Sequence, residues 1–541
     1  MPTSSHSRKY LYSLLGYQPS DEELSKLLDS LGMTLDNASK ESIEVEYQAN
    51  RPDLISTVGL ARSIRYFTGK RSSFEYKVGE PLQGFEVSVG RRVAKIRPFF
   101  AAMVVKGLEL SNDSLLDLIN FTEKLTITYG RNRKRVAIGL HDLSKVEPPL
   151  TYDAFSDEEY DALRSGRMKY SEVLKNTSKG KAYSQLCNVG EYYCALKDKR
   201  GTLSLIPVLN SERTMVTEKT TDMLVDITGT NGFVVGKTAD IVAANMIDMG
   251  AKVYRVSIKK NGRQYATPSM STLELSIPLS RFSYELGVRL AFNNVISLAN
   301  KMGIQAALVG RNIRFTVPAY RADIINDQDI VEDIAIAYGY DYIQPIPVVS
   351  IRQGALNERQ KTADELRHML NGLGFFETMS SYLTNEETNY TKMRLKPDSK
   401  QIRLANAKAI TVTMMRTWLL PSLLLGLAKS QHDKLPHRLF ELDMRFYLDS
   451  GKVKEAYDLA GIVSDSAIDF NELSSVVSAI ASFLGKKLET KPLDHASFIP
   501  GRCASISLDG KQVGLYGELH PEVLENFGIQ APAMAFELEL F

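Results

Sequence analysis

A chain of 541 residues is too long for one hydrophobic core, so roughly three or four domains are expected. Its 44% apolar and 24% charged content is that of a soluble globular protein, and a net charge of +2 leaves nucleic-acid contact to local patches. Cys187, Cys194 and Cys503 are scattered, which excludes a zinc spacing or a disulfide framework and fits a reducing compartment. The opening MPTSSHSRKY has no apolar signal core, and the most apolar run, Trp418 to Ala428, is broken by Pro421 and too short to span a bilayer. A cytoplasmic protein with no membrane partner is expected.

Residues 1–85 read as a small α/β module. Ser20 caps a helix with an acidic first turn and spaced leucines that ends at Gly32, and Ile43 to Tyr47 alternates as a strand. Asn50-Arg51-Pro52-Asp53 precedes a helix from Ser56 to Thr68 closed by Gly69. A second unit spans residues 86–262. Its helix, Leu115 to Leu125, leads to Arg131, Arg133, Lys134 and Arg135, whose charges suit either phosphate contact or a solvated loop. Strand-like VAIGL follows, then His141, a residue that beside a strand is expected to make a structural hydrogen bond. Ile206 to Leu209 and Met223 to Ile227 read as two buried strands. Asn210, Ser211 and Glu212 follow the first, while Asp226 and Thr228 interrupt the second. Such groups either meet at one pocket rim or simply end two strands. No Ser-His-Asp or Cys-His order is evident, so a positioned water attacking an ester carbonyl fits better than covalent catalysis. A helix over Lys237 to Met249 and a strand over Val253 to Ile258 close the unit, and the turn-rich KNGRQYATPSM marks its boundary.

Residues 268–350 form a third domain: strand Leu273 to Ile277, helices Ser280 to Leu286 and Ala291 to Met302, and strand Ile313 to Val317 ended by Pro318. Asn326 or Asp327 then caps a helix that ends at Gly339. On it Asp329, Glu332 and Asp333 share one face, with Asp323 just upstream, while Ile330, Ile334 and Ala337 form a core stripe. Acids crowded at a helix start suit a hard cation such as magnesium, and they equally suit the helix dipole. A linker with Pro345 and Pro347 ends at about Ile351. Residues 355–541 then offer a long helix, Leu356 to Leu373, and strands at Thr378 to Leu383, Arg438 to Leu442, Phe498 to Ala504, Gly514 to Pro521 and Ala535 to Leu540. Gly372-Leu373-Gly374 ends a helix instead of opening one, so it is no dinucleotide fingerprint.

Tyr320-Arg321-x-Asp323-Ile324, Asp329-x-x-Glu332-Asp333-Ile334-Ala335 and Tyr338-Gly339-Tyr340 together resemble the central motif of the phenylalanyl-tRNA synthetase β-subunit family. The resemblance runs from Asn50 to Glu537 and takes in NRPDL, VAIGLHD, PVLNSERT, DITGT and GELHPEVL. It implies an α+β multidomain protein with α/β N-terminal and editing modules, a winged-helix-like domain carrying the acidic motif, and a C-terminal class II synthetase-like antiparallel sheet with helices. An active class II site needs arginines on the ATP phosphates, where charge develops. Arg438 is only a faint echo of one, so residues 355–541 are expected to be a scaffold. The resemblance further implies magnesium on Asp323, Asp329, Glu332 and Asp333, and an α subunit, two copies of each chain, that binds ATP and phenylalanine. Transfer RNA is the other implied partner, and DNA is not expected. In the editing module Asp226, Thr228 and Ser204 take catalytic roles and Asn210, Ser211 and Glu212 line the pocket, which hydrolyses misattached tyrosine. An apolar phenylalanine pocket cannot strongly reject a ligand that merely adds a hydroxyl, so a second sieve is needed. The end at Phe541, and the lack of room for an inserted domain after residue 85, point to the archaeal or eukaryotic type. Two rival readings are a free-standing aminoacyl-tRNA deacylase and a nucleic-acid-binding regulator built on the third domain.

Overall fold

The computed structural model describes residues 3–72, 75–350, 352–407, 409 and 411–541. Met1, Pro2 and Ile351, where the expected linker ends, lie outside them. The chain is mixed α+β and falls into two compact units, Met1–Pro347 and Val348–Phe541.

The first unit begins with a three-stranded antiparallel sheet in which Ser42–Glu46 lies between Thr3–Ser7 and Thr34–Ala38. Ser20 and Ser56 cap the helices Asp21–Ser30 and Thr57–Phe67, each side chain accepting a backbone N–H three residues on. Leu28, Ile43 and Ile64 of this module belong to one continuous core with Val225, Ile227, Ile241 and Phe315, Ile330, Ile334. The acidic-motif helix, Asp327–Tyr338, and the strand Met223–Gly229 are therefore fixed on a shared apolar base.

Met223–Gly229 belongs to an eleven-stranded sheet whose main path runs from Leu209–Asn210 at one edge to Val136–Asp142 at the other. Its inner face packs Phe100, Tyr152, Cys194, Leu196, Leu203 and Leu224. The sheet curls until its edges meet: Asn210 Nδ2 donates to the Leu140 carbonyl at 3.2 Å. Three expectations change here. The first strand is Gly201–Leu205 followed by a break and Leu209–Asn210, since Pro207 has no N–H to give a ladder. The second, Met223–Gly229, is not interrupted by Asp226 or Thr228, because both side chains find partners inside the sheet. KNGRQYATPSM opens as a hairpin: Asn261 and Gly262, at φ 50° and 75°, turn Lys252–Lys260 into Arg263–Thr267. The sheet thus continues to Thr267. The third domain adds a strand that hydrophobic patterning missed, Gln305–Val309, beside Asn312–Val317.

The second unit is built on a seven-stranded sheet, antiparallel except where Phe376–Glu377 pairs with His437–Asp449. Helices Glu358–Gly372 and Phe470–Phe483 cover one face, and Leu420–Ser430 and Pro521–Phe527 the other. Thr378 to Leu383 does not form the expected strand. Ser380 gives both its N–H and its hydroxyl to Glu441, at 3.3 and 2.6 Å, which takes that backbone out of ladder pairing. No helix among the described residues is long and apolar enough to cross a membrane.

Glu537 ties the sheet of this unit to one of its two helix layers. It accepts the backbone N–H groups of Leu419 and Leu420, both at 2.9 Å, at the start of the Leu420–Ser430 helix. Burial, with Asp458 nearby, pushes its carboxyl from the ordinary 4.5 up to about 8. Between those values the folded chain holds a proton that the unfolded chain has released, so this group lowers stability as pH rises, by at most about 1.4 kcal/mol per pH unit. Glu537→Gln should flatten the loss of urea stability between pH 5.5 and 8 (roughly the titration window). An unchanged slope would contradict the assignment.

Candidate functional site

The acidic motif is organised by an arginine. Val317-Pro318 ends a strand, and the chain then turns Arg321 inward until its side chain has no exposure. Its Nε and Nη2 donate to the two oxygens of Asp323 at 2.9 and 2.6 Å, Nη2 also donates to Asp333 at 2.7 Å, and Nη1 donates to the Met302 carbonyl at 3.2 Å. Burial works against the Asp323 carboxylate, but the Arg321 charge prevails and holds it below the usual range. Burial also raises Asp333, to about 6. Asp329 Oδ2 accepts the N–H groups of Ile325 and Asn326 at 2.7 and 2.9 Å, completing a capping box with Asn326. Glu332 is exposed.

All four acids line one cavity of about 130 Å³, and its other wall is Gln48, Asn50 and Arg51 from the NRPD stretch. Arg51 grips Asp53 through two bonds of 2.9 Å, and Arg62 lies 4.1 Å over the Tyr320 ring. The NRPD and acidic motifs are therefore two sides of one place. Among the described residues no three His, Cys, Asp or Glu side chains converge as a metal cage. Arg321 engages the inner pair, Asp323 and Asp333, which does not suit a four-carboxylate site. The outer pair, Asp329 and Glu332, suits magnesium, which typically takes one or two carboxylates and keeps its waters. Arg321 stood inside the quoted motif, but its role depends on the docking of strand, helix and loop. Removing it strands two buried carboxylates. Arg321→Ala should therefore cost roughly 3–5 kcal/mol in urea unfolding, and a loss below about 1 kcal/mol, the worth of an exposed pair, would contradict the clamp.

The second constellation lies where the curled sheet closes. Asp226, 2% exposed, shares the inner face of its strand with Leu224 and Thr228. His141 Nε2 is 2.9 Å from Asp226 Oδ1, and its Nδ1 is 2.8 Å from Thr214 Oγ1. Ser204 Oγ donates to Asn210 Oδ1 at 2.9 Å, and Asn210 reaches Leu140, the neighbour of His141. Asp226, Asn210 and Ser204 are thus gathered around Leu140 and His141. Thr228 is bound separately by the buried Arg97, at 3.3 Å to its hydroxyl and 2.7 Å to its carbonyl. Ser211 accepts the Arg213 N–H at 3.3 Å, and the exposed Glu212 accepts the Arg164 N–H at 2.7 Å, so both shape the outer turn.

His141 makes two side-chain bonds where one structural bond was expected, and its partner Thr214, the last residue of PVLNSERT, was given no role in the sequence. Of the basic stretch, Arg131 and Lys134 stay exposed while Arg133 turns in to the Pro207 carbonyl and Glu123, at 2.9 and 2.5 Å. In the second unit Arg438 pairs with Glu472 at 2.6 Å.

Three family models match: the Phe-tRNA synthetase beta subunit B1 domain over residues 1–70, the tRNA synthetase B5 domain over 275–340, and the phenylalanyl tRNA synthetase beta chain CLM domain over 344–540. The phenylalanine–tRNA ligase beta subunit of Methanocaldococcus jannaschii is 31% identical, covering 100% of both chains. That of Pyrococcus furiosus is 32% identical over 100% of this chain and 99% of its own. A crystal structure of an N-terminal fragment of the phenylalanyl-tRNA synthetase beta-subunit from Pyrococcus horikoshii is 30% identical, with a TM-score of 0.60, over 63% of this chain and 100% of that one. With its acidic motif and its curled sheet on one core, the chain belongs to the phenylalanine–tRNA ligase beta-subunit family, in its archaeal form.

Proposed function

We propose that this beta subunit works in the cytoplasm, in a heterotetramer with two α subunits that bind ATP and phenylalanine and form the adenylate. Its winged-helix-like domain, residues 268–350, contacts the α subunit, and residues 355–541 act as a class II-like scaffold without chemistry of their own. Asp329 and Glu332 hold magnesium at that contact, where the ion would supply positive charge against these carboxylates. Arg321 keeps Asp323 and Asp333 in place behind them. In the complex, Glu332→Gln should weaken magnesium binding in calorimetry by about tenfold without lowering the melting temperature, since Glu332 is exposed. Equal affinity would remove Glu332 from the site.

The same chain hydrolyses tyrosine wrongly attached to the phenylalanine tRNA. The observation that carries this reading is the carboxylate of Asp226, buried at the closure of the sheet beside Ser204 and Asn210. Asp226 orients a water towards the ester carbonyl, Thr228 and Ser204 support the pocket, and Asn210, Ser211 and Glu212 form its rim. Substrate approaches past Leu209–Asn210, an edge strand paired through only two residues. Exposed Arg131 and Lys134 suit the tRNA phosphates. Asp226→Ala in the complex should leave phenylalanine charging intact while Tyr-tRNA accumulates. Undiminished deacylation in that variant would refute the assignment.

A further inference from the structure

We infer that His141 and Thr214 are positioning residues of the deacylating site, holding the Asp226 carboxylate in the orientation that receives the proton of the attacking water. The inference rests on the editing reading above. A carboxylate on an apolar strand face is costly unless a donor meets it, and the side-chain donor that faces Asp226 is His141 Nε2, at 2.9 Å. The imidazole is itself anchored, with Nδ1 2.8 Å from Thr214 Oγ1. A neutral ring with its proton on Nε2 satisfies both contacts: it donates to Asp226, and Nδ1 accepts the Thr214 hydroxyl proton. The other tautomer would set a lone pair against the carboxylate. The carboxylate, which can only accept, selects that tautomer, and the Thr214 hydroxyl, able to donate or accept, anchors the ring in place.

The opposing strand is shaped for the same purpose. Gly139 lies directly across from Asp226, and a Cβ there would stand 2.1 Å from Asp226 Oδ1. His141, two residues on, faces the same side. One strand therefore supplies both the gap and the donor. Hydroxyl, imidazole and carboxylate form the chain familiar from serine hydrolases, but with roles reversed. There the acid orients the histidine; here the histidine orients the acid. Thr214, fully buried, is the anchor and not the nucleophile. In the reaction the water oxygen bonds to the ester carbonyl carbon and its proton passes to Asp226. The bond from that carbon to the tRNA ribose oxygen then breaks, its electron pair staying on the ribose oxygen, which takes the proton from Asp226. Tyrosine and intact tRNA result, and the carboxylate is regenerated.

The test is deacylation of Tyr-tRNA by the full complex with the α subunit, comparing His141→Leu, His141→Gln, Thr214→Val and Asp226→Asn, each with its melting temperature. His141→Leu should lower kcat at least about tenfold with KM unchanged within about twofold. His141→Gln, whose amide N–H can replace Nε2–H, should recover most of that loss, and Thr214→Val should fall between. If Asp226→Asn is inactive while His141→Leu matches wild type, the positioning role is overturned and the editing reading stands. If His141→Leu and His141→Gln fall equally, alongside a lowered melting temperature, His141 is only structural and the inference is overturned. If Asp226→Asn matches wild type, or wild type does not deacylate, the editing reading itself fails.

Discussion

The fully buried guanidinium of Arg321 is the interaction on which the first unit depends. A charge without exposure must be met by partners of opposite sign, or the fold pays heavily for it. Arg321 meets Asp323 at the end of a strand, Asp333 on the acidic helix, and the Met302 carbonyl after the Phe292–Lys301 helix. Those contacts fix where the helix Asp327–Tyr338 begins and which of its carboxylates look outward. Arg51 stands across the cavity, so the NRPD loop and the acidic motif are held in one electrostatic arrangement. The shared apolar core beneath them carries the same joint into the N-terminal module.

The curled sheet meets a similar problem on its inner face. Asp226 and Thr228 sit on a strand buried along its whole length, where apolar residues would be the cheaper choice. His141 and Arg97 answer them, and the edge-to-edge bond from Asn210 to Leu140 closes the sheet beside that pair. These polar groups are kept on an otherwise apolar face at that cost, with a strand paired through only two residues beside them.

Features set by local chemistry were legible in the sequence. The serine caps at Ser20 and Ser56, the Asn326 cap and the i, i+3, i+4 placement of Asp329, Glu332 and Asp333 all follow from helix geometry. Features set by tertiary contact were not. That Arg321 would engage two of the four acids depends on a strand end docking against two helices. The loss of the strand at Thr378 to Leu383 depends on Glu441, far along the chain. The Asn261-Gly262 hairpin was legible in principle, since Asn-Gly is a strong turn signal, but its polar flanks read as a boundary. Thr214 closes the PVLNSERT stretch, but its contact with His141 was not legible there, because it forms only where the sheet closes.

The most direct test of the account is to express this chain alone and with its α subunit, then measure mass and phenylalanine charging. The account predicts a stable assembly containing two of each chain that charges tRNA only when both are present. A chain that stays apart from the α subunit and still cleaves Tyr-tRNA would contradict it, and would mark a free-standing deacylase instead.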